Sequence, residues 1–124
     1  MLKRINNLKC PTEANEATAL AEWAAHHHIA KNMFHIPNGG SRHIIEAKNL
    51  KKQGVKEGIP DYFLPYPCNG KAGMFIELKR RVKSQSRLTQ AQAQCLAHLE
   101  RVGYHTVIAY GWEDAVQKIV NYLK

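Results

Sequence analysis

The order of its periodic segments predicts an α/β fold for this 124-residue chain, a mixed β-sheet flanked by helices. Three observations carry that prediction. Long stretches at the start, middle and end repeat their apolar residues at helical spacing. Two short apolar segments, Ile59 to Leu64 and Met74 to Leu78, are joined by Pro65-Tyr66-Pro67-Cys68-Asn69-Gly70-Lys71, whose prolines and Asn-Gly pair suit a hairpin between antiparallel strands. The helical stretch from Leu88 to Val102 then separates Met74–Leu78 from the apolar run His105–Tyr110, a length suited to a crossover between parallel strands. The length fits a single domain over residues 1–124, with no repeat, linker or low-complexity tract.

Taken in order, Pro11 and Thr12 precede an Ala-rich helix predicted over Glu13 to Met33. At about 100° per residue its inner stripe holds Glu16, Leu20, Trp23, Ala24 and His27, with Glu22 opposite. A carboxylate on an apolar stripe needs a cation or metal partner, unless Glu16 lies at the solvated end of the stripe. His26, His27 and His28 point about 100° apart on a helix, so they read as ordinary helix residues and not as ligands of one ion. His35 and Ile36 form a short strand running into a turn at Asn38-Gly39-Gly40. A helix over Arg42 to Gln53 follows and closes at Gly54. Lys48, Lys51, Lys52 and Lys56 give it a strongly positive side, either a solvated face or a surface that meets DNA. In the helix from Leu88 to Val102, Cys95, Leu96, Leu99 and Val102 form the core stripe. Thr89-Gln90-Ala91-Gln92 opens it in the form of a capping box. The last helix, Glu113 to Leu123, buries Ala115, Val116, Ile119, Val120 and Leu123.

The charge balance points to a polyanionic partner. Eighteen Lys and Arg stand against ten Asp and Glu, a net +8, and each cation set against a phosphate releases a condensed counterion. Cys10, Cys68 and Cys95 are widely spaced, with no zinc-finger pattern, and read as reduced thiols of a cytosolic protein. The first residues lack the apolar core of a signal peptide, and no apolar run approaches the ~20 residues of a membrane span. The expected location is the cytoplasm, where nucleic acid is the abundant polyanion, and no membrane is expected as a partner.

Gly58-Ile59-Pro60-Asp61 and Glu77-Leu78-Lys79 lie in the two hairpin-linked strands. A strand has a side-chain period of two, so Glu77 and Lys79 share a face and antiparallel pairing brings Asp61 beside Glu77. Two carboxylates plus the Leu78 backbone carbonyl are the oxygen ligands that a hard divalent cation such as Mg²⁺ takes. Lys79 beside them suits stabilisation of charge on a phosphate, and Arg80, Arg81, Lys83 and Arg87 add cations for DNA. Metal-assisted hydrolysis of a phosphodiester is the reaction these residues fit best. A two-fold pair of such domains would supply two symmetric cuts where a substrate requires them.

The combination Gly54-Val55-Lys56-Glu57-Gly58-Ile59-Pro60-Asp61, Ile76-Glu77-Leu78-Lys79, Leu88-Thr89-Gln90-Ala91-Gln92 and Gly103-Tyr104 resembles the virus-type replication-repair nuclease (VRR-NUC) pattern of the PD-(D/E)XK superfamily. The resemblance runs from about Glu16 to Ala115. It implies a restriction-endonuclease-like fold, Mg²⁺ or Mn²⁺ as cofactor, and DNA cleavage. It also implies Asp61 and Glu77 as metal ligands, Lys79 as the catalytic lysine, Gln92 as the helix glutamine near the site, and Glu16 as the first-helix glutamate. Glu13 lies near the same stripe and is the alternative to Glu16. The chain is similar to stand-alone phage and prophage members, which are implied to be homodimers acting on four-way (Holliday) junctions in a bacterial or phage-infected cell.

Overall fold

The computed structural model describes residues 10–37 and 44–124. Eight elements run in the order α1 (Glu13–Ala25), β1 (Phe34–His35), α2 (Ile44–Lys52), β2 (Tyr62–Leu64), β3 (Met74–Lys79), α3 (Gln90–Arg101), β4 (His105–Tyr110) and α4 (Trp112–Tyr122), with short 3₁₀ turns at Ala30–Asn32 and Lys83–Gln85. The turn predicted at residues 38–40 and the start of the helix predicted from residue 42 lie outside the described residues.

The strands form one sheet in the order β1-β2-β3-β4. β1 with β2 and β2 with β3 are antiparallel, and β3 with β4 is parallel, the mixed sheet that the hairpin and the crossover helix require. Met74, Ile76 and Leu78 point to one face of β3, where they pack with Leu20, Ala115 and Ile119 of α1 and α4 in the main core. On the opposite face Phe75 meets Phe63 and Tyr104, with ring centroids 4.5 Å and 5.2 Å away. Burying chains of this size contributes about 1.5–3 kcal/mol each. The outer edge of β4 is closed by side chains: Glu100 accepts from the Thr106 N–H, Asp114 from the Tyr110 N–H, and Lys118 donates to the Ile108 carbonyl. An edge occupied in this way resists pairing with another strand.

Three boundaries depart from the periodicity. The first helix stops at Ala25, not at Met33, because the His27 ring nitrogen accepts the N–H groups of Ile29 and Ala30, each at 3.1 Å, and draws them away from the helical ladder. The three histidines therefore occupy the turn after the helix, where the His27 and His28 rings stack. The strand predicted from Ile59 begins at Tyr62, since Pro60 has no N–H to give to a ladder. Val102, placed in the core by its spacing, is 55% exposed: α3 has ended, Val102 is its C-terminal cap and the chain turns through Gly103 at φ +112°.

Candidate active site

The backbone delivers Asp61 by a constrained route. Gly58 has φ +86°, and a Cβ there would stand 2.7 Å from the Ala91 backbone in the first turn of α3. Only glycine lets the chain pass so close. Pro60, fully buried, then holds the approach extended. The register that pairs Tyr62 with Ile76 continues to set Asp61 opposite Glu77. Asp61 Oδ2 accepts the Leu78 N–H at 2.7 Å, tying the carboxylate to β3.

Glu77 and Lys79 project from β3 toward the start of α3, 2% and 5% exposed. Lys79 Nζ lies 3.5 Å from Glu77 Oε2 and donates to the Arg87 carbonyl at 3.1 Å and to Gln92 Oε1 at 3.0 Å. Gln92 Nε2 donates to Glu77 Oε2 at 3.1 Å. Gln92 Oε1 also accepts the Thr89 N–H, completing the capping box with Thr89 Oγ1 and the Gln92 N–H. The two roles open to Gln92 in the sequence are filled by one side chain.

The electrostatics are those of two acids forced together. Burial, and then the negative charge of Asp61, push the Glu77 carboxyl up to about 8, with Lys79 pulling the other way. Burial likewise raises Asp61, against the Leu78 N–H that favours its ionised form. An ammonium at 3.5 Å does not keep Glu77 charged near neutral pH, so a proton between the two acids relieves their repulsion. Glu77 Oε1 is buried without a hydrogen-bond partner among the described residues. A hard divalent cation fits this donor set, since two carboxylates and the Leu78 carbonyl supply oxygen ligands and a cation supplies the partner Oε1 lacks. Among the described residues no three acidic, histidine or cysteine side chains converge on one point, so water or substrate oxygens would complete the coordination.

Glu16 is not at this centre. It is 1% exposed and forms a two-pronged pair with Arg81, at 2.8 Å to Nε and 3.0 Å to Nη2, while its Oε1 accepts the Trp112 N–H. The first-helix acid whose field meets the site is Glu13: its carboxyl is raised by burial, lowered by Lys79 and raised by Asp61. The rotation between positions 13 and 16 is about 60°, too small for periodicity to choose between them.

The basic residues divide as well. Arg80 is spent on the Pro11 and Cys10 carbonyls, at 3.0 Å and 2.9 Å, and Arg81 on Glu16 and Glu113. Instead of standing free for DNA, their guanidinium groups bind Cys10 and Pro11, α1 and α4 to the end of β3. Lys83 lies over the Tyr110 ring, 4.8 Å from its centre. Lys83, Arg87, Lys48, Lys51, Lys52 and Lys56 are exposed. The sequence holds no signal for the Arg87 carbonyl as a support of Lys79, nor for His35, which acts electrostatically to lower Asp61.

A mixed sheet that brings Pro-Asp, just before one strand, against Glu-x-Lys on the next places this chain among nucleases of the PD-(D/E)XK type. The VRR-NUC domain model matches residues 11–113, and the chain belongs to that family. A solved structure described as a VRR_NUC domain protein is similar to it, with a TM-score of 0.80 and 27% identity, over 92% of this chain and 89% of the other. No curated protein matches. Among the described residues no helix is long and apolar enough to cross a membrane.

Proposed function

We propose that this protein is a metal-dependent, structure-selective DNA endonuclease that resolves four-way junctions as a homodimer in the cytoplasm. The observation that carries the reading is the pair of half-buried Asp61 and buried Glu77, both raised in pKa, with Glu77 Oε1 lacking a donor among the described residues beside a lysine already held in place. A purely structural core has little use for two acids in contact, because Lys79, Gln92 and the Leu78 N–H return only part of their desolvation and both carboxyls stay raised.

Asp61, Glu77 and the Leu78 carbonyl would hold Mg²⁺ or Mn²⁺, whose Lewis acidity screens the phosphate and makes water a stronger nucleophile near neutral pH. Lys79 keeps its ammonium on the reaction side through the Arg87 carbonyl and Gln92, where it stabilises charge developing on the phosphate. Gln92 orients Lys79 and Glu77 together. Glu13 stands at the rim as an additional carboxylate. Lys48, Lys51, Lys52, Lys56, Lys83 and Arg87 carry the DNA backbone.

The reading is tested by offering labelled four-way junction, flap, single-stranded and duplex DNA with Mg²⁺ or Mn²⁺, alongside sedimentation of the protein at micromolar concentration. Paired symmetric cuts in the junction by a dimer are expected. A monomer that nicks branched and linear DNA alike is a less selective endonuclease of the same fold. Binding without cleavage in every divalent metal makes it a DNA-binding module.

A further inference from the structure

On the α1 side of the sheet runs a groove of about 370 Å³ that none of the residues discussed for catalysis lines. Its wall is one side of α1, where Ala17, Thr18 and Ala21 present nothing larger than a threonine, and Tyr62 and His35 close it from the sheet. Lys31 stands at its far end. The Tyr62 hydroxyl is turned away to the Ala17 carbonyl at 3.4 Å, so the interior is smooth and mostly apolar while its two open positions are basic.

Two features give this groove a direction. Glu13 lies one helical turn before Ala17 on the same side of α1, so the groove leads away from the rim of the acidic site. His35 ties the groove to that site through the backbone: it pairs with Tyr62 across β1 and β2 with ring centroids 5.0 Å apart, and the next N–H, of Ile36, donates to the Asp61 carbonyl at 2.7 Å. Both basic groups are unspent. Neither the Lys31 ammonium nor a His35 ring nitrogen makes a hydrogen bond or ion pair among the described residues, and both side chains are exposed. Arg80 and Arg81, by contrast, are consumed inside the protein.

We infer that this groove seats the sugar-phosphate backbone of the DNA strand leaving the cleavage centre, with His35 and Lys31 as its phosphate contacts. Small side chains along α1 let the deoxyribose approach the helix, the His35 N–H meets the phosphate nearest Asp61, and Lys31 meets one further along. No α2 lysine serves this strand, since none lines the groove. The assignment rests on the nuclease reading for which DNA atom lies at Asp61, but not for the binding itself.

The test is titration of a fluorescein-labelled four-way junction with the full chain in EDTA, by anisotropy across a salt series. The double variant Lys31→Ala/His35→Ala is expected to bind about tenfold more weakly, and Lys31→Ala alone to reduce the salt slope by about one. Ala21→Trp, an exposed helical position that would fill the groove, should weaken binding similarly without lowering the melting temperature. Wild-type affinity and salt slope in both the double variant and Ala21→Trp would overturn the inference. Cleavage by the wild type in Mn²⁺ is scored separately. A wild type that never cuts refutes the nuclease reading, while the EDTA titrations still decide the groove.

Discussion

Gln92 gives its side-chain NH₂ to Glu77 Oε2 at 3.1 Å while its oxygen, in the same rotamer, closes the capping box of α3 and holds Lys79. One side chain thus serves both the start of the helix and the site. The two uses are separable by substitution. Gln92→Ala removes both, with a cap loss of about 1 kcal/mol visible as a lower melting temperature and a kcat reduced at least about tenfold. Gln92→Glu keeps a residue that completes capping boxes but sets an acceptor against Glu77. Its kcat should fall comparably with a smaller loss of thermal stability. Equal melting losses in the two variants would show that the cap is not what Gln92 contributes to the fold.

The raised Glu77 carboxyl makes the metal-free protein sensitive to pH in an unusual direction. An unfolded glutamate has released its proton above its ordinary value of 4.5, whereas folded Glu77 holds its own up to about 8. Stability therefore falls as pH rises between those values, and is flat below and above them. Glu77→Gln abolishes this titration. In EDTA the variant should match wild type near pH 5 and exceed it at pH 8 by on the order of a few kcal/mol, although it no longer cleaves. Thermal melts at the two pH values check this.

Lys79 acts, in this account, on charge that exists only in the transition state. Lys79→Ala should lower kcat by about 100-fold or more and leave KM within a few-fold. Single-turnover cleavage at saturating DNA separates the two. A raised KM with unchanged kcat would make Lys79 a phosphate contact only.

Glu16 is assigned to stability. Removing it leaves Arg81 with Glu113 and takes the acceptor from the Trp112 N–H. Glu16→Ala should cost about 3 kcal/mol, the low end for a buried pair because Arg81 is partly solvated. Burial pushes the Glu16 carboxyl up, but the Arg81 hydrogen bonds and the Trp112 N–H outweigh it and leave it lowered. A lowered carboxyl contributes stability present above its unfolded value, which is lost as pH falls through the folded one. The gap between wild type and Glu16→Ala in urea melts should narrow at acid pH.

Much of this architecture is readable from residue pattern because period and turn chemistry act locally. The alternation in Met74–Lys79 sets which side chains face the core, and the prolines and Asn69-Gly70 set the hairpin. What is not legible depends on partners distant in sequence. Glu16 finds Arg81 across 65 residues and Trp112 across 96, and nothing in α1 alone reveals which of its acids they claim. Arg80 and Arg81 look like Lys83 and Arg87 until the Cys10 and Pro11 carbonyls and Glu16 are in place. The early end of α1 rests on a ring nitrogen of His27, a local feature that helical periodicity does not register.

The claim that Asp61 and Glu77 form a metal-dependent phosphodiesterase centre is tested most directly by Asp61→Ala beside wild type on a labelled four-way junction, with Mg²⁺, Mn²⁺ or EDTA. Wild type is expected to cut only with a divalent metal, and Asp61→Ala to bind the junction within a few-fold of wild type but not to cut it. Cleavage by Asp61→Ala at the wild-type rate, or by wild type in EDTA, would contradict it.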